Sequence, residues 1–513
     1  MYDFVIIGSG FGGSVSALRL SEKGYKVLVI EKGGWKKSND FPKTNWNLRK
    51  WFWMPAIGFK GIFKLSVFRH LSVISGVGVG GGSLVYANTL PKPKSHFFNS
   101  GSWKGLKDWE AELKPYYEMA YKMLGATNTP KFFDADKILE NIAKDNKIEN
   151  FFEPTKVSVF FGEKDKTVPD PFFNGKGMDR TGCNFCGQCM TGCPNNSKNS
   201  LDKNYLHLAQ QNGAKIIANR VVTNVIPQND NSYVIEYKKT GKYFSVKEQV
   251  RTKGIVFAGG VLGTVPLLLK LKKTTMPKIS NRVGMDVRSN NESLIFVTSL
   301  RKNLDMSKGV AIGSILNTTE HSHLEPVRYG NWSGFWRLAI LPLISEKNTF
   351  KRLLKIPFSY LKNPIKRLKS IFITNFSKHT AVLLYMEDLE GKIQLTKGFF
   401  GTKTKIQDGN PPTAFIPKAH KLASEYAKKV NGVCRVFALE SLAGIPSTAH
   451  ILGGAVIGKD EQAGVIDKNQ KLFGHDNVYV CDGSAISSNP GVNPSLTITA
   501  MTELAMSKIE GKN

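Results

Sequence analysis

The chain lacks any long uncharged apolar run, which argues against a membrane-spanning helix. A helix that crosses a bilayer needs about 20 consecutive apolar residues, whereas the most apolar stretches here are interrupted by Lys60 and Lys64 or by Arg337. The N-terminus also lacks a basic segment followed by a long apolar one, so it is not typical of a secretory signal. We therefore expect a protein that does not span a membrane.

Cysteine is scarce, because the 513 residues include only 6, and four of these lie between Cys183 and Cys193. Such crowding is poorly suited to a disulfide framework and predicts a reducing, cytoplasmic location. Acidic residues are also few, since 41 Asp and Glu oppose 71 Lys and Arg, for a net charge of +30. This excess favours an anionic surface as a partner or simply keeps a large protein soluble. No nucleic-acid-binding motif accompanies the charge, so we expect no nucleic-acid partner.

The first motif that is present predicts a dinucleotide site. An apolar run at 3–7 leads into GSGFGG at 8–13 and then into a segment with helical spacing, which is a strand, turn and helix in order. Gly8 permits the tight turn, Gly10 lets the backbone approach a pyrophosphate, and Gly13 allows helix and strand to pack closely. A second strand ends at Glu31, where a carboxylate accepts hydrogen bonds from ribose hydroxyls. The residues assigned to the cofactor here are Gly8, Ser9, Gly10, Gly13 and Glu31.

A second glycine-rich segment, GVGVGGGSLVYAN at 76–88, favours FAD over NAD. Backbone with minimal side chains can pass close to a flat ring and offer it amide N–H groups. The apolar residues on both sides of this segment indicate that it is buried rather than a flexible linker. We assign Gly80, Gly82 and Ser83 to the cofactor.

With these blocks and its C-terminal third, the sequence resembles the glucose-methanol-choline (GMC) oxidoreductase family, and within it the bacterial cholesterol oxidase-like branch. The matching blocks are GSGFGG with Glu31, GVGVGGGSLVYANTL at 76–90, GIVFAGGVLGTVPLLL at 254–269 and the stretch from His450 to about Ala505. The resemblance implies a non-dissociable FAD beneath a substrate chamber. It also implies that His450 and Asn493 are the catalytic pair, one accepting or orienting the hydroxyl proton and the other holding the substrate oxygen, while flavin N5 takes the hydride.

Further cofactor contacts follow from the same resemblance. The family's last strand reaches the flavin at Asp482 and Gly483, and the final helix, opened by Asn493 and Pro494, can stabilise a reduced anionic flavin. Asn88 or its neighbours should line the substrate side of the flavin, although the residues just before Asn88 depart from many cholesterol oxidases. The additional residues assigned to FAD are Asn88, Val222, Asp482, Gly483, Asn493 and Pro494.

These blocks predict an α/β protein with the GMC fold, in which a Rossmann-like FAD-binding domain is joined to a discontinuous, sheet-based substrate domain. We assign residues 1–90, 200–300 and 445–513 to the FAD-binding domain. Residues 91–199 and 301–444 lack the alternation of strand and helix and are assigned to the substrate domain.

The four crowded cysteines form a ferredoxin-like ligand run. Cys183, Cys186, Cys189 and Cys193 have the spacing C-x2-C-x2-C-x3-C, followed by proline, which can wrap an iron-sulfur cluster. The fourth cysteine of such a run serves a second cluster in two-cluster ferredoxins, and no second run exists here. A structural zinc and reduced thiols or a local disulfide therefore remain open. The outcome bears on the electron acceptor, because a cluster would pass single electrons onward, whereas free thiols leave direct reduction of dioxygen open.

Two features of the sequence suggest a water-insoluble ligand. Aromatic residues are frequent at 51–68 and 332–336, as suits a sterol or long-chain alcohol, although most of them belong in the core of a chain this large. The basic insertion, residues 350–378, carries eight Lys or Arg and no acidic residue. It fits either a segment lying on the anionic inner face of a membrane or a solvated loop.

A polar cluster near His321 offers a carboxylate that could move a proton in steroid isomerisation. Glu325 and Glu387 are the two candidates. The simpler expectation is that Arg328 holds a buried Glu325 in a structural pair.

Together these features predict FAD-dependent oxidation of a secondary alcohol on a hydrophobic molecule, first of all a 3β-hydroxysteroid, with dioxygen or an electron-acceptor protein as the second partner. One alternative is a sugar, glucoside or long-chain alcohol dehydrogenase that passes electrons through an iron-sulfur cluster. A non-catalytic electron relay or redox sensor is another, but it would not need a proton acceptor such as His450 near flavin N5.

Overall fold

Two seven-stranded sheets form the framework of the protein, as seen in a computed structural model that describes residues 1–242, 245–399, 401–409 and 411–512. The first sheet is parallel at its centre and ends in an antiparallel hairpin, and the second sheet is antiparallel throughout. This mixed α/β architecture with a Rossmann-like N-terminal region confirms the predicted fold class.

The first sheet is built around the apolar N-terminal strand, whose residues are almost all buried. Its strands run in the order Lys215–Ile217, Val27–Ile30, Tyr2–Ile7, Glu248–Phe257, Tyr233–Lys239 and Arg220–Pro227, with Val478–Val480 also paired to Glu248–Phe257. Central parallel strands need cover on both faces, which explains their continuous apolar runs. The first helix, Phe11–Glu22, packs on the last helix, Ser495–Ser507, and the latter packs on Trp109–Met123.

The second sheet separates two cores by simple alternation of its side chains. Its strands run in the order Ile340–Pro342, Gly432–Phe437, Ser293–Ser299, Thr380–Glu387, Ser322–Val327, Ser314–Thr319 and Phe152–Pro154. Ile295 and Val297 pack towards one face, which is covered by helices Asp134–Asp145 and Pro417–Lys429. Leu294 and Phe296 point to the opposite face and join a cluster rich in aromatic residues. Because side chains alternate along a strand, one short sequence supplies both layers.

The remaining elements are short strands and helices that connect or flank the two sheets. The other strands are Trp53–Met54, Phe59–Lys60, Phe63–Val67, Ser72–Gly76, Thr127–Asn128, Lys156–Val157, Thr167–Val168, Arg180–Thr181, Gly391–Gly398, Gly401–Gly409 and Ser447–Thr448. The other helices are Leu48–Trp51, Ser95–Phe98, Tyr205–Gln211, Val261–Lys272, Thr349–Leu361, Pro364–Ile371, Phe376–His379 and Ala438–Ala443. Within the described ranges, no helix combines the length and apolar character needed to cross a bilayer.

Two segments lie on a different side of the predicted domain division. Strand Ser293–Ser299, placed by sequence with the FAD-binding domain, is a central strand of the second sheet. Helix Trp109–Met123, placed with the substrate domain, packs on the last helix and shares the core of the first sheet. The strand is apolar and the helix has one apolar face, and either could pack in either core, so only their packing assigns them. The other domain boundaries stay predictions.

Candidate active site

The glycine turn after the first strand is shaped by crowding at two of its positions. Gly8 has a φ of 106°, and a Cβ there would lie 2.4 Å from the carbonyl oxygen of Ala258. A Cβ on Gly13 would lie 2.1 Å from the carbonyl oxygen of Gly8. At Gly10, by contrast, a Cβ would meet only Ala258 O, at 4.0 Å, among the described atoms. The backbone at Gly10 therefore faces open space, as the approach of a ligand requires.

Glu31, predicted to bind the ribose of the cofactor, is held in place by hydrogen bonds from the glycine turn and from Gly33. Its carboxylate is buried and accepts hydrogen bonds from the Ser9 amide at 3.0 Å, the Ser9 hydroxyl at 2.8 Å and the Gly33 amide at 2.8 Å. A carboxylate has about four acceptor positions, so these three bonds leave one for a ribose hydroxyl. The ribose contact itself stays a prediction.

A cavity of about 390 Å³ extends from this turn to the second sheet. Most of the predicted cofactor residues line it, together with both predicted catalytic residues. Those lining it are Gly8, Gly10, Glu31, Gly82, Val222, His450, Asp482, Gly483, Asn493 and Pro494. Ser9, Gly13, Gly80, Ser83 and Asn88 are not among its lining residues and instead support the walls. Ser83, for example, accepts a hydrogen bond from the Leu201 amide and donates one to the Gly80 carbonyl.

Of the residues predicted to line the cavity here, Asn88 or its neighbours, the structure places Ala87 and Thr89 on the cavity wall but not Asn88 itself. Asn88 is fully buried with a φ of 70°, and its side chain faces Cys189 behind the wall. The positive φ turns the side chain away from the direction that an extended residue would take. Sequence position alone does not show this backbone conformation.

Three helix N-termini converge on the cavity. Lining residues include Gly10 and Phe11 at the first helix, Gly260 and Val261 at helix Val261–Lys272, and Ser495 at the last helix. In the described part of the chain, none of the three cap residues, Gly10, Gly260 and Pro494, supplies a side-chain hydrogen bond to its own helix. The helix dipoles and the N–H groups left unpaired in the first turns favour negative charge. The arrangement fits a pyrophosphate and a reduced flavin, and thus fits FAD.

The contribution of helix Val261–Lys272 was missed in the sequence. Its signal was the Gly259-Gly260 pair between a strand and a helix, since Gly260 has a φ of 70°. Asp482 stabilises this turn by accepting hydrogen bonds from the Gly260 amide, at 2.8 Å, and from the Thr264 hydroxyl. Burial raises the pKa of Asp482, and these bonds together with those from Ser484 only partly oppose that effect.

His450 is oriented by Glu292, a residue that sequence reasoning did not single out. His450 Nδ1 lies 2.9 Å from Glu292 Oε1, and the carboxylate also accepts from the Thr448 hydroxyl at 2.6 Å and the Ala449 amide at 3.0 Å. Burial acts to raise the pKa of Glu292, but His450 and these hydrogen bonds outweigh it, so its pKa is lowered. Because a carboxylate only accepts, Nδ1 carries the proton and Nε2 is left as the acceptor of the neutral ring. The available signal was an isolated acid directly before the apolar strand Ser293–Ser299.

Asn493 lies on the other side of the imidazole. Its Nδ2 is 3.4 Å from His450 Nε2, so the two predicted catalytic side chains do meet in the cavity. Behind them, Glu325 is fully buried, and burial raises its pKa to about 8, with Asn493 acting weakly in the opposite direction. His323 Nε2 lies 3.6 Å from Glu325, and burial lowers the pKa of His323 to about 3. Both groups are therefore neutral at pH 7.

The prediction that Arg328 pairs with Glu325 is wrong. Arg328 instead binds Asp136 through two hydrogen bonds of 2.7 and 2.9 Å, and both side chains are fully buried. Side chains alternate along strand Ser322–Val327, so Glu325 and Arg328, three positions apart, point to opposite faces of the sheet and do not meet. Glu387, the other candidate, accepts a hydrogen bond from Asn291 and is not among the residues that line the cavity.

The four cysteines of the ferredoxin-like run surround one small void behind the cavity wall. All four are free thiols. Burial, followed by their mutual repulsion, raises the pKa of Cys183, Cys186 and Cys189. Over the ranges that the structure covers, no three or more His, Cys, Asp or Glu side chains are arranged to hold a metal ion. The iron-sulfur cluster therefore remains a prediction from the motif.

Lys198 connects this cysteine run to the second glycine-rich segment. It is fully buried, which lowers its pKa to about 7, and its Nζ donates to the carbonyls of Leu84, Tyr86 and Cys189 at 2.9 to 3.2 Å. Tyr86 and Met190 line the cavity, so the cysteine run lies one layer behind the wall.

Family models described as GMC oxidoreductase match residues 176–273 and 413–502, and one described as an NAD(P)-binding Rossmann-like domain matches residues 6–49. The chain is 39% identical over 527 residues to a cholesterol oxidase from Acinetobacter baumannii, covering 100% of this chain and 95% of that protein. It is 40% identical to a cholesterol oxidase from Mycobacterium tuberculosis strain H37Rv, covering 99% and 90%. A long-chain-alcohol oxidase from Arabidopsis thaliana is 22% identical, covering 99% and 67%.

Among solved structures, pyridoxine 4-oxidase from Mesorbium loti has a similar fold. The TM-score is 0.61 with 14% sequence identity, and 99% of each chain is covered. At this identity the likeness concerns the fold alone.

Proposed function

Because the chain belongs to the GMC oxidoreductase family, in its bacterial cholesterol oxidase-like branch, we propose that it oxidises the 3β-hydroxyl group of a sterol-like molecule to a ketone. The coarser activity is plain from the family, namely FAD-dependent oxidation of an alcohol. Our proposal concerns the substrate and the roles of individual residues.

The observation that carries the substrate class is the apolar character of the second-sheet wall. The strand residues that line the cavity there are Leu294, Phe296, Val327, Val382, Leu384 and Phe437. Phe63 and Trp336 extend this wall. A sugar would lose hydrogen bonds to water against such a surface, whereas a steroid nucleus would bury apolar area. The wall therefore favours a hydrophobic alcohol over the alternative of a sugar or glucoside.

The polar groups at one end of this wall suit removal of a hydroxyl proton. Oxidation of a secondary alcohol removes that proton and a carbinol hydride, and FAD when bound supplies the hydride acceptor. His450 Nε2 accepts the proton, and Asn493 donates from Nδ2 to the alcohol oxygen. Glu292 stays charged, holds His450 in the Nδ1–H tautomer and stabilises the imidazolium that forms. Gly10, Glu31 and the three uncapped helix N-termini bind the cofactor.

Anaerobic titration tests the substrate class directly. Cholesterol, a long-chain fatty alcohol and glucose are each added to the holoenzyme, and the flavin absorbance near 450 nm, the usual flavin band, is followed. We expect bleaching by cholesterol, little by the fatty alcohol and none by glucose. Bleaching by glucose alone would overturn the sterol proposal, and no bleaching by any alcohol would overturn oxidation of all three substrate classes.

Dioxygen is the electron acceptor that we propose, because the two relatives with about 40% identity are both named cholesterol oxidase. Under air, one hydrogen peroxide should form for each ketone. The alternative, a dehydrogenase that passes electrons through a cluster at Cys183–Cys193, predicts turnover only with an added acceptor. It also predicts iron and acid-labile sulfide in anaerobically purified protein.

A second candidate activity is migration of a steroid double bond, and it is favoured by Glu325. This carboxyl lies directly behind Asn493, which lines the cavity, and its raised pKa matches a proton shuttle that works near neutral pH. Glu325→Gln should then convert cholesterol to the unconjugated ketone and stop there, as measured by the absence of the conjugated enone band. Normal enone formation by this variant would remove the proposal.

A further inference from the structure

The basic insertion folds into two helices that expose a continuous apolar surface. Helices Thr349–Leu361 and Pro364–Ile371 contact each other, and they are followed by Phe372. Five of their apolar side chains are between 68% and 76% exposed, and three more are between 41% and 53% exposed. The first group is Phe350, Phe358, Leu361, Ile365 and Phe372, and the second is Leu353, Leu354 and Leu368. We call these eight residues the apolar stripe.

The apolar stripe follows the period of an α-helix. Phe350, Leu354, Phe358 and Leu361 are spaced by four, four and three residues, which places them on one side of the first helix. Ile365, Leu368 and Phe372 repeat the spacing on the second helix. Soluble proteins rarely leave such a contiguous apolar surface uncovered unless it serves an interaction.

Positive charge surrounds the apolar stripe. Lys351, Lys355 and Lys369 are exposed on the same two helices, and Lys362 is exposed between them. The sequence contains no acidic residue between Glu346 and Glu387, and Glu346 pairs with Lys355 at 2.6 Å. The surface is therefore amphipathic, with apolar side chains and lysines interleaved and almost no negative charge.

The two helices are fixed to the wall of the cavity rather than forming a loose loop. Arg352 is buried and donates from Nε to the Ser441 carbonyl at 2.7 Å. Arg435 donates to the Ser370 carbonyl at 2.8 Å, and Arg337 donates to the Ile373 carbonyl at 2.7 Å. Each of the last two arginines is a near neighbour in sequence of a cavity-lining aromatic residue, Phe437 or Trp336. Arg435 and Phe437 are two positions apart on strand Gly432–Phe437, so their side chains are on the same face of the second sheet, and the insertion is fixed beside the substrate wall.

We propose that the apolar stripe lies flat on an anionic lipid bilayer and brings the cavity to a membrane-dissolved substrate. Apolar side chains at a bilayer interface are buried among acyl chains while lysines pair with anionic headgroups. A second copy of this chain is a poorer occupant, because a symmetric contact would place the lysines of both copies against each other. Binding to the bilayer does not depend on the proposed function, but delivery of a sterol does rest on it.

Flotation with lipid vesicles tests the surface. The holoenzyme is mixed with vesicles of phosphatidylcholine alone or with 30% phosphatidylglycerol, where about a third of the lipid is a usual anionic content for such assays. We expect at least tenfold more floated protein with the anionic vesicles, and most of that difference should be lost in high salt. Equal flotation with both vesicles, or none with either, overturns the proposal.

Two variants and a matched control locate the contact. Phe358→Glu combined with Leu361→Glu should abolish flotation, and Lys351→Gln, Lys362→Gln and Lys369→Gln combined should reduce it at least tenfold. Val246→Glu changes an even more exposed apolar residue, 86% exposed, beside a strand of the first sheet, and should float like the wild type. Wild-type flotation by the first two variants overturns the proposal. A changed oligomeric state in these variants with unchanged flotation would instead assign the surface to self-association.

Activity measured on two forms of sterol separates this proposal from the proposed function. With sterol dispersed in detergent, all variants should match the wild type, because none of the changed residues lines the cavity. With sterol in anionic vesicles, the Phe358/Leu361 variant should be at least tenfold slower. Flotation without oxidation of dispersed sterol would overturn the proposed function and leave the surface standing. Oxidation of dispersed sterol without flotation would do the reverse.

Discussion

The two ends of the cavity are built from different parts of the chain. At the cofactor end the walls are mostly backbone, with the crowded glycines Gly8 and Gly13 beside the open Gly10 and with uncapped helix N-termini. At the substrate end the walls are side chains, namely the apolar face of the second sheet and the group of His450 and Asn493. Backbone sites bind a constant cofactor through N–H groups, whereas side chains can be exchanged to suit a substrate. Changes at the two ends should therefore have separable effects.

The largest expected effect is at His450. Replacing it with glutamine, His450→Gln, removes the proton acceptor, and we expect kcat to fall about 10²- to 10⁴-fold. FAD content should not change, because the imidazole belongs to the substrate end. Rapid-reaction measurement of flavin reduction and the flavin-to-protein absorbance ratio test the two parts. Loss of FAD together with activity would contradict the separation of the two ends.

Glu292→Gln should have a smaller effect, roughly 10- to 100-fold on kcat, because glutamine cannot stabilise the imidazolium but can still accept a hydrogen bond from His450 Nδ1–H. The lowered pKa of Glu292 means that its carboxylate remains charged below the usual range of a glutamic acid. The carboxylate that stabilises the imidazolium is therefore present at neutral and mildly acidic pH, so the kcat of Glu292→Gln should stay below that of the wild type across this range. Equal kcat values for the two enzymes would mean that Glu292 is only structural.

The cofactor end is tested by two neighbouring glycines. Gly10→Ala adds a methyl group where the apoprotein has room, so the protein should fold but bind FAD at least about tenfold more weakly. Gly8→Ala places a methyl group 2.4 Å from a carbonyl oxygen at a φ of 106°, so it should lower stability even without FAD. Thermal unfolding of the two apoproteins and titration with FAD distinguish these outcomes. A fully loaded Gly10→Ala enzyme would place the cofactor elsewhere in the cavity.

The smallest expected effect concerns the dependence of stability on pH. The pKa of Glu325 is raised to about 8, so between its unfolded value near 4.5 and pH 8 the folded protein holds a proton that the unfolded chain releases. Stability from this group therefore falls as pH rises through that window and is constant beyond it. Glu325→Gln should reduce the decline in apparent Tm between pH 5 and 8 by a few degrees. Glu440→Gln, at a second buried acid with a pKa raised to about 8, is a matched comparison.

Much of the site could be predicted from local motifs, because the chemistry of these motifs depends on residues that are close in sequence. The sequence alone identified the glycine turn, Glu31 and the segments that contain His450 and Asn493, and all of them meet at one cavity. Glu292 was missed, since its role comes from a hydrogen bond across 158 positions. The predicted partner of Arg328 was wrong for a related reason, because its actual partner, Asp136, lies 192 positions away on a helix. Asn88 was misplaced by a local conformation, its positive φ.

The sequence by itself determined the fold class, the family and the cofactor, because glycine spacing and strand-helix order act within a few dozen residues. Only the tertiary structure decided which face of the second sheet forms the substrate wall, since alternating strands offer an apolar side to either core. It alone brought Glu292 to His450 and placed the exposed helices of the basic insertion beside that wall. These features depend on contacts between distant segments, and such contacts exist only after the chain has packed.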